Sequence, residues 1–153
     1  MRSASAFWFV LAVLAACAPP PSPAPQQGPL EWHGEMIERG GYAITGAGYV
    51  QNRYGRIVAM AMLFNATPGQ ELPWHVHRGT CGVPGGPIVG PDSSYQPVTV
   101  AADGSGVRSA EVHGMRLDPT QRYKLDVHRS PDEMDVIVAC ANLTARPLGS
   151  RNP

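Results

Sequence analysis

Two histidines two residues apart, His75 and His77, lie in the stretch Leu72-Pro73-Trp74-His75-Val76-His77-Arg78-Gly79-Thr80-Cys81. In a β-strand successive side chains alternate between faces, so His75 and His77 project to one side and Trp74 and Val76 to the other. The second face is apolar and buries easily, while the first offers two neutral nitrogen donors to a single metal ion. A third histidine, His128, ends another alternating run, Tyr123-Lys124-Leu125-Asp126-Val127-His128. There Tyr123, Leu125 and Val127 point inward, and Lys124, Asp126 and His128 point outward. All three histidines thus fall on outward faces and can converge without a metal inside the core. Three imidazoles suit Cu(II), which heads the divalent affinity order, and also Zn(II).

Other chemistry-bearing residues carry less. His113 shares parity with Ser109 and Glu111 and reads as a plain exposed histidine. His33, beside Met36, would be free to cap the site, though no pattern supports it. Met60 and Met62 offer soft sulfur for Cu(I), yet their strand reads as core, where methionine commonly fills gaps. A zinc hydrolase built on three histidines and a water needs a general base. Glu71 shares parity with His75 as the only nearby carboxylate, and it is not well placed for that work.

The elements that must position these residues are short strands. Gly41 to Val50 is alternating and glycine-rich, and Arg56 to Asn65 is apolar on both faces, as an inner strand is. A turn at Ala66 to Gln70 precedes the strand Leu72 to His77. Pro97 to Ala101 leads into Asp103-Gly104, a hairpin signal, and then Val107 to Val112. Gln121 to His128 and the apolar Val136 to Cys140 complete the set. Seven or eight short strands, no sustained helical periodicity, and 17 Gly with 16 Pro predict an all-β antiparallel sandwich or barrel.

Residues 1–16 read as a secretory signal: Arg2 is followed by an apolar run from Ala6 to Ala16 that falls short of the ~20 residues needed to span a bilayer. Leu14-Ala15-Ala16-Cys17 resembles a bacterial lipobox, which implies cleavage before Cys17 and lipid on its sulfur. An ordinary signal peptide with an idle Cys17 is the alternative. Residues 17–29 form a proline-dense tether favouring polyproline II, stiff enough to hold a domain about 30 Å off a membrane. Residues 30–146 make one domain, and the tail, 147–153, with Arg146 at its start, looks frayed. The chain has 12 basic and 12 acidic residues, so it carries no basic field for nucleic acid. In an exported domain Cys81 and Cys140 should pair, and closing that loop contributes about 4 kcal/mol in the chain-entropy view. The competing reading makes Cys81 a fourth metal ligand.

Taken in order, His75-Val76-His77 with a following cysteine, Val127-His128, and Val138-Ala139-Cys140 resemble the Cu,Zn superoxide dismutase superfamily. The match runs from about Arg56 to Leu143. It is closer still to short bacterial lipoproteins with the superoxide dismutase-like fold, in His77-Arg78-Gly79-Thr80-Cys81 and Val127-His128-Arg129-Ser130-Pro131. The resemblance implies a Greek-key β-barrel, copper held on its outside by His75, His77 and His128, and a Cys81–Cys140 disulfide. Departures are equally plain. The segment from Cys81 to Gln96 has no histidine and only Asp92, so the family's zinc site and bridging histidine are absent. Ile137 stands where the family has its superoxide-steering arginine. Arg78 and Arg129, each following a ligand histidine, are the candidates to guide an anion instead.

The leading expectation is a lipid-anchored copper-binding module of the bacterial cell envelope, with zinc a weaker candidate cofactor. The alternatives are a slow copper-only superoxide dismutase, and a scaffold that binds an envelope partner with its histidines incidental.

Overall fold

The structure, a computed structural model, describes residues 30–150. The signal-like run, Cys17 and the proline-rich tether lie outside the described residues. The chain is all-β, with strands β1 Leu30–Glu38, β2 Thr45–Arg53, β3 Arg56–Phe64, β4 Glu71–Leu72, β5 Trp74–Arg78, β6 Val98–Thr99, β7 Gly106–His113, β8 Tyr123–His128 and β9 Ile137–Pro147. Seven of them form one antiparallel sheet in the order β5-β8-β9-β1-β2-β3-β7, and β4 pairs with β6 in a small second sheet. The large sheet curls into a half-barrel. Strands far apart in the chain lie side by side in it, β5 with β8 and β9 with β1, as Greek-key connections require.

The inner face is a row of buried apolar side chains. Trp32, Val50, Ile57, Leu63, Trp74, Val76, Leu125, Val127 and Val138 are all essentially inaccessible. Burying each such side chain is worth about 1.5–3 kcal/mol relative to exposure, so the alternation in β5 and β8 anchors those strands firmly. The Trp74 indole N–H donates to the Gln96 carbonyl at 2.9 Å, which satisfies its polar atom inside the core.

Several elements differ from expectation. The strand β1, not anticipated, alternates Trp32 and Met36 inward with His33 and Glu35 outward. Gly34 breaks its apolar signal, because a Cβ there would lie 2.1 Å from the Asn142 carbonyl oxygen. Arg146 is not frayed: it pairs with Glu31 in the β1–β9 ladder and its Nε lies 2.7 Å from the Glu31 carboxylate. β3 is not core on both faces. Ile57, Ala59, Ala61 and Leu63 are buried, whereas Val58, Met60 and Met62 are half-buried on the outer face and Phe64 is exposed. Asp103-Gly104 does make a tight turn, with Gly104 N–H donating to Ala101 O at 3.0 Å. It joins strands that do not pair, since β6 ladders with β4 and β7 with β3.

Candidate metal centre

β5 and β8 run antiparallel with His75 opposite Asp126 and His77 opposite Lys124. A register irregularity between Val127 and His128 re-aims the end of β8, and His128 N–H donates to Pro73 O at 2.8 Å. One ring nitrogen from each of His75, His77 and His128 then falls within 4.8 Å of the others. The closest pair, His75 Nδ1 and His128 Nε2, is 3.3 Å apart. Metal–imidazole bonds of about 2.0–2.1 Å place the nitrogens of a tetrahedral ion about 3.3–3.4 Å from each other, so a side-chain shift of about 1 Å completes the trio.

The face that carries these rings is not solvent-exposed as its outward parity implied. His75, His77 and His128 are 2%, 8% and 6% exposed. The segment after β5 folds back along that strand and covers them. Arg78 N–H donates to Pro87 O at 3.1 Å, and Val89 N–H to Val76 O at 2.8 Å. Gly86 sits in this return at φ +103°, where a Cβ would lie 2.2 Å from Arg78 O. Only glycine fits there, and its carbonyl is the partner of His77.

Hydrogen bonding at the rim sets which nitrogens face inward. His77 Nδ1 lies 3.0 Å from Gly86 O. A carbonyl only accepts, so Nδ1 carries the proton and a neutral ring leaves Nε2 bare. That Nε2 is buried and has no hydrogen-bond partner among the described residues. His75 Nε2 lies 2.6 Å from the Asp92 carboxylate, so His75 presents Nδ1 to the trio by the same reasoning. His128 Nδ1 is buried with no hydrogen-bond partner among the described residues. Rings whose outer nitrogens are tied to a carboxylate and a carbonyl, with bare nitrogens converging, are the arrangement that metal sites use.

In the sequence Asp92 stands out only as the carboxylate left where a zinc site is missing. Its position in a short 3-10 turn, Asp92–Ser94, packed near β7, makes it the orienting carboxylate for His75. Face parity could not find it, because it arrives from a loop. Glu71, singled out by parity, is instead exposed and accepts from Thr99 Oγ1 at 2.9 Å. Asp92 is three-quarters exposed, so truncating it should leave folding almost untouched. Asp92→Ala is expected to weaken metal binding about 10–100-fold, read by competition against a chromophoric chelator.

Burial also disfavours the charged forms of His128 and His75. The His128 pKa is lowered to about 4, chiefly by desolvation and then by repulsion from His75, with Asp126 opposing. Desolvation lowers that of His75 as well, outweighing the hydrogen bond that His75 donates to Asp92. The sign for stability follows. In the metal-free protein the unfolded His75 and His128 rings take up protons near pH 6.5, while burial opposes this in the folded state. The unfolded state binds more protons between about pH 6.5 and 4, so stability falls as pH drops through that window and is insensitive to these groups above it. Urea midpoints measured from pH 8 to 4 should show this slope, and His128→Gln should flatten it.

The remaining predicted residues are scattered. Cys81 and Cys140 form a disulfide, with Cα atoms 5.9 Å apart, so Cys81 is not a fourth ligand. Arg129 pairs with Glu133 at 3.0 Å, and Arg78 is exposed on the parity opposite His77, where its charge acts on Asp118. His113 is exposed beside Glu111, and His33 rests against the Tyr49 ring at 4.7 Å. No family model and no curated protein matches this chain.

Proposed function

We propose that this protein is a lipid-anchored copper-binding module of the bacterial envelope with a superoxide dismutase-like fold. The observation that carries the reading is the buried trio of ring nitrogens on His75, His77 and His128, two of them oriented by Asp92 and Gly86. The antiparallel half-barrel and the Cys81–Cys140 disulfide agree with the fold that the motifs resemble. A set of three imidazole donors favours a first-row divalent ion, copper above zinc in the affinity order. Bound copper would supply one-electron chemistry between Cu(II) and Cu(I). The chain's own residues hold the donors, disfavour the charged forms of His75 and His128, and limit water at the site.

Handling of copper is favoured over rapid turnover of superoxide. The Asp92 carboxylate beside His75 is negative, and one candidate guide, Arg129, is compensated by Glu133. An anion gains encounter rate from an uncompensated positive field, and both the Asp92 carboxylate and the pairing of Arg129 with Glu133 work against one. The copper-loaded chain should therefore dismutate superoxide well below the diffusional ceiling of about 10⁹ M⁻¹s⁻¹ in pulse radiolysis.

Equilibrium dialysis tests the metal assignment directly. The purified chain should bind one equivalent of copper and release zinc when copper is added, with imidazole nitrogen couplings in the Cu(II) electron paramagnetic resonance spectrum. A chain that retains zinc against equimolar copper would overturn the copper assignment. For the anchor, labelled palmitate should be incorporated in a bacterial host and lost in Cys17→Ser.

A further inference from the structure

A second group of donor atoms lies on the same outer face. Cys140 on β9 stands opposite Asp126 on β8, and Cys81 joins Cys140 from the segment after β5. The two sulfurs and an Asp126 carboxylate oxygen all fall within 4.8 Å of one another. Asp126 is 2% exposed, and its Oδ1 is buried with no hydrogen-bond partner among the described residues. Its other oxygen, Oδ2, is 2.7 Å from the Lys124 ammonium. A cleft of about 180 Å³ reaches this point, lined among others by Arg39, Gly82, Val83, Asp126, Ile137 and Cys140.

We propose that reduction of the disulfide turns Cys81, Cys140 and Asp126 into a second site, for a thiophilic divalent cation such as Zn(II). The reductant is a dithiol: one of its thiolates attacks a disulfide sulfur, the second closes it to a cyclic disulfide, and both cysteines leave as thiols. The entering cation then forms two metal–sulfur bonds and displaces two protons to solvent. Exchange in reverse, with an oxidised dithiol, re-forms the protein disulfide and expels the cation. Metal–sulfur bonds of about 2.3 Å put two thiolates on one tetrahedral ion about 3.8 Å apart, a separation that cysteines with Cα atoms 5.9 Å apart reach by side-chain rotation. Charge favours a divalent ion. Two thiolates and one carboxylate total −3, and a 2+ cation with the neighbouring Lys124 ammonium brings the cluster to zero. The free Oδ1 gains a partner in the same step. The cleft gives both reductant and cation a route to Cys140.

This site uses none of the three histidines, so it stands or falls apart from the copper reading. The test is a Cd(II) titration of the full chain, oxidised or reduced by a phosphine and transferred to oxygen-free buffer. Thiolate-to-cadmium charge transfer in the ultraviolet reports sulfur ligation alone, and imidazole sites do not produce it. Reduced chain should develop the band and saturate at one equivalent. Oxidised chain and Cys140→Ser should not reach it. Asp126→Asn should weaken binding at least tenfold, and the cadmium-113 resonance of the wild-type complex should report oxygen as well as sulfur ligands. No band in the folded reduced chain overturns the proposal. So does a band that persists unchanged in denaturant, or a cadmium resonance showing sulfur ligands from two chains.

Discussion

Replacing His128 by alanine should lower metal affinity by more than about 100-fold, beyond the loss expected from removing an orienting partner alone. The ring supplies one of three inward nitrogens and lies 3.3 Å from another, so its removal leaves two donors and a gap. His77→Ala should behave alike, because the bare Nε2 it loses is buried and committed to no other bond among the described residues. The metal-free variants should remain folded. Alanine at residue 128 removes a buried polar ring that has little hydrogen bonding of its own. Isothermal titration with Cu(II) beside thermal melts of the metal-free chains separates the two effects. Metal added to wild-type chain should raise its melting temperature, by mass action on the native state, and should leave the melting temperature of His128→Ala where it was. Equal affinity in wild type and His128→Ala would show that the histidine trio is not a site.

Asp126→Ala should destabilise the protein by about 3–5 kcal/mol, the usual consequence of leaving one partner of a buried ion pair uncompensated. Lys124 and Asp126 have side chains 1% and 2% exposed, and the ammonium also donates to Val83 O at 3.0 Å. Without Asp126 that ammonium keeps one carbonyl and no counter-charge. Exchanging both together, Lys124→Met with Asp126→Leu, should be near neutral or stabilising, since desolvating two charges costs about as much as their attraction returns. Urea denaturation of the three chains with the disulfide intact measures the difference. A single variant that unfolds no earlier than wild type would mean that water reaches the pair. The double variant also bears on function: Asp126 raises the pKa values of His75 and His128, so its removal should lower the pH at which the metal-free rings protonate.

The pair explains why the covering segment lies where it does. Lys124 holds Val83, the disulfide holds Cys81, and Gly86 and Asp92 hold His77 and His75. Four attachments spread along one loop bury a face that strand parity marks as outward. Parity reports only which side of a sheet a residue occupies. What later covers that side depends on where a loop lands.

By itself the sequence determined the parts governed by local periodicity. Alternation in Trp74 to His77 put His75 and His77 on one face of their strand, and alternation in Tyr123 to His128 grouped His128 with Lys124 and Asp126, while the irregularity that re-aims His128 was not legible. The all-β class followed from turn residues and short apolar runs, and the cysteine pairing from having two candidate thiols in a domain read as exported. Only the tertiary structure decided the rest. β1 was hidden by Gly34, which is required by a close approach to Asn142 far along the chain. Asp92, the Lys124–Asp126 pair and the burial of the rings depend on contacts between segments remote in sequence, and no local pattern encodes these. A strand's period is set by its own backbone, whereas a ligand's orientation and charge are set by whatever packs against it.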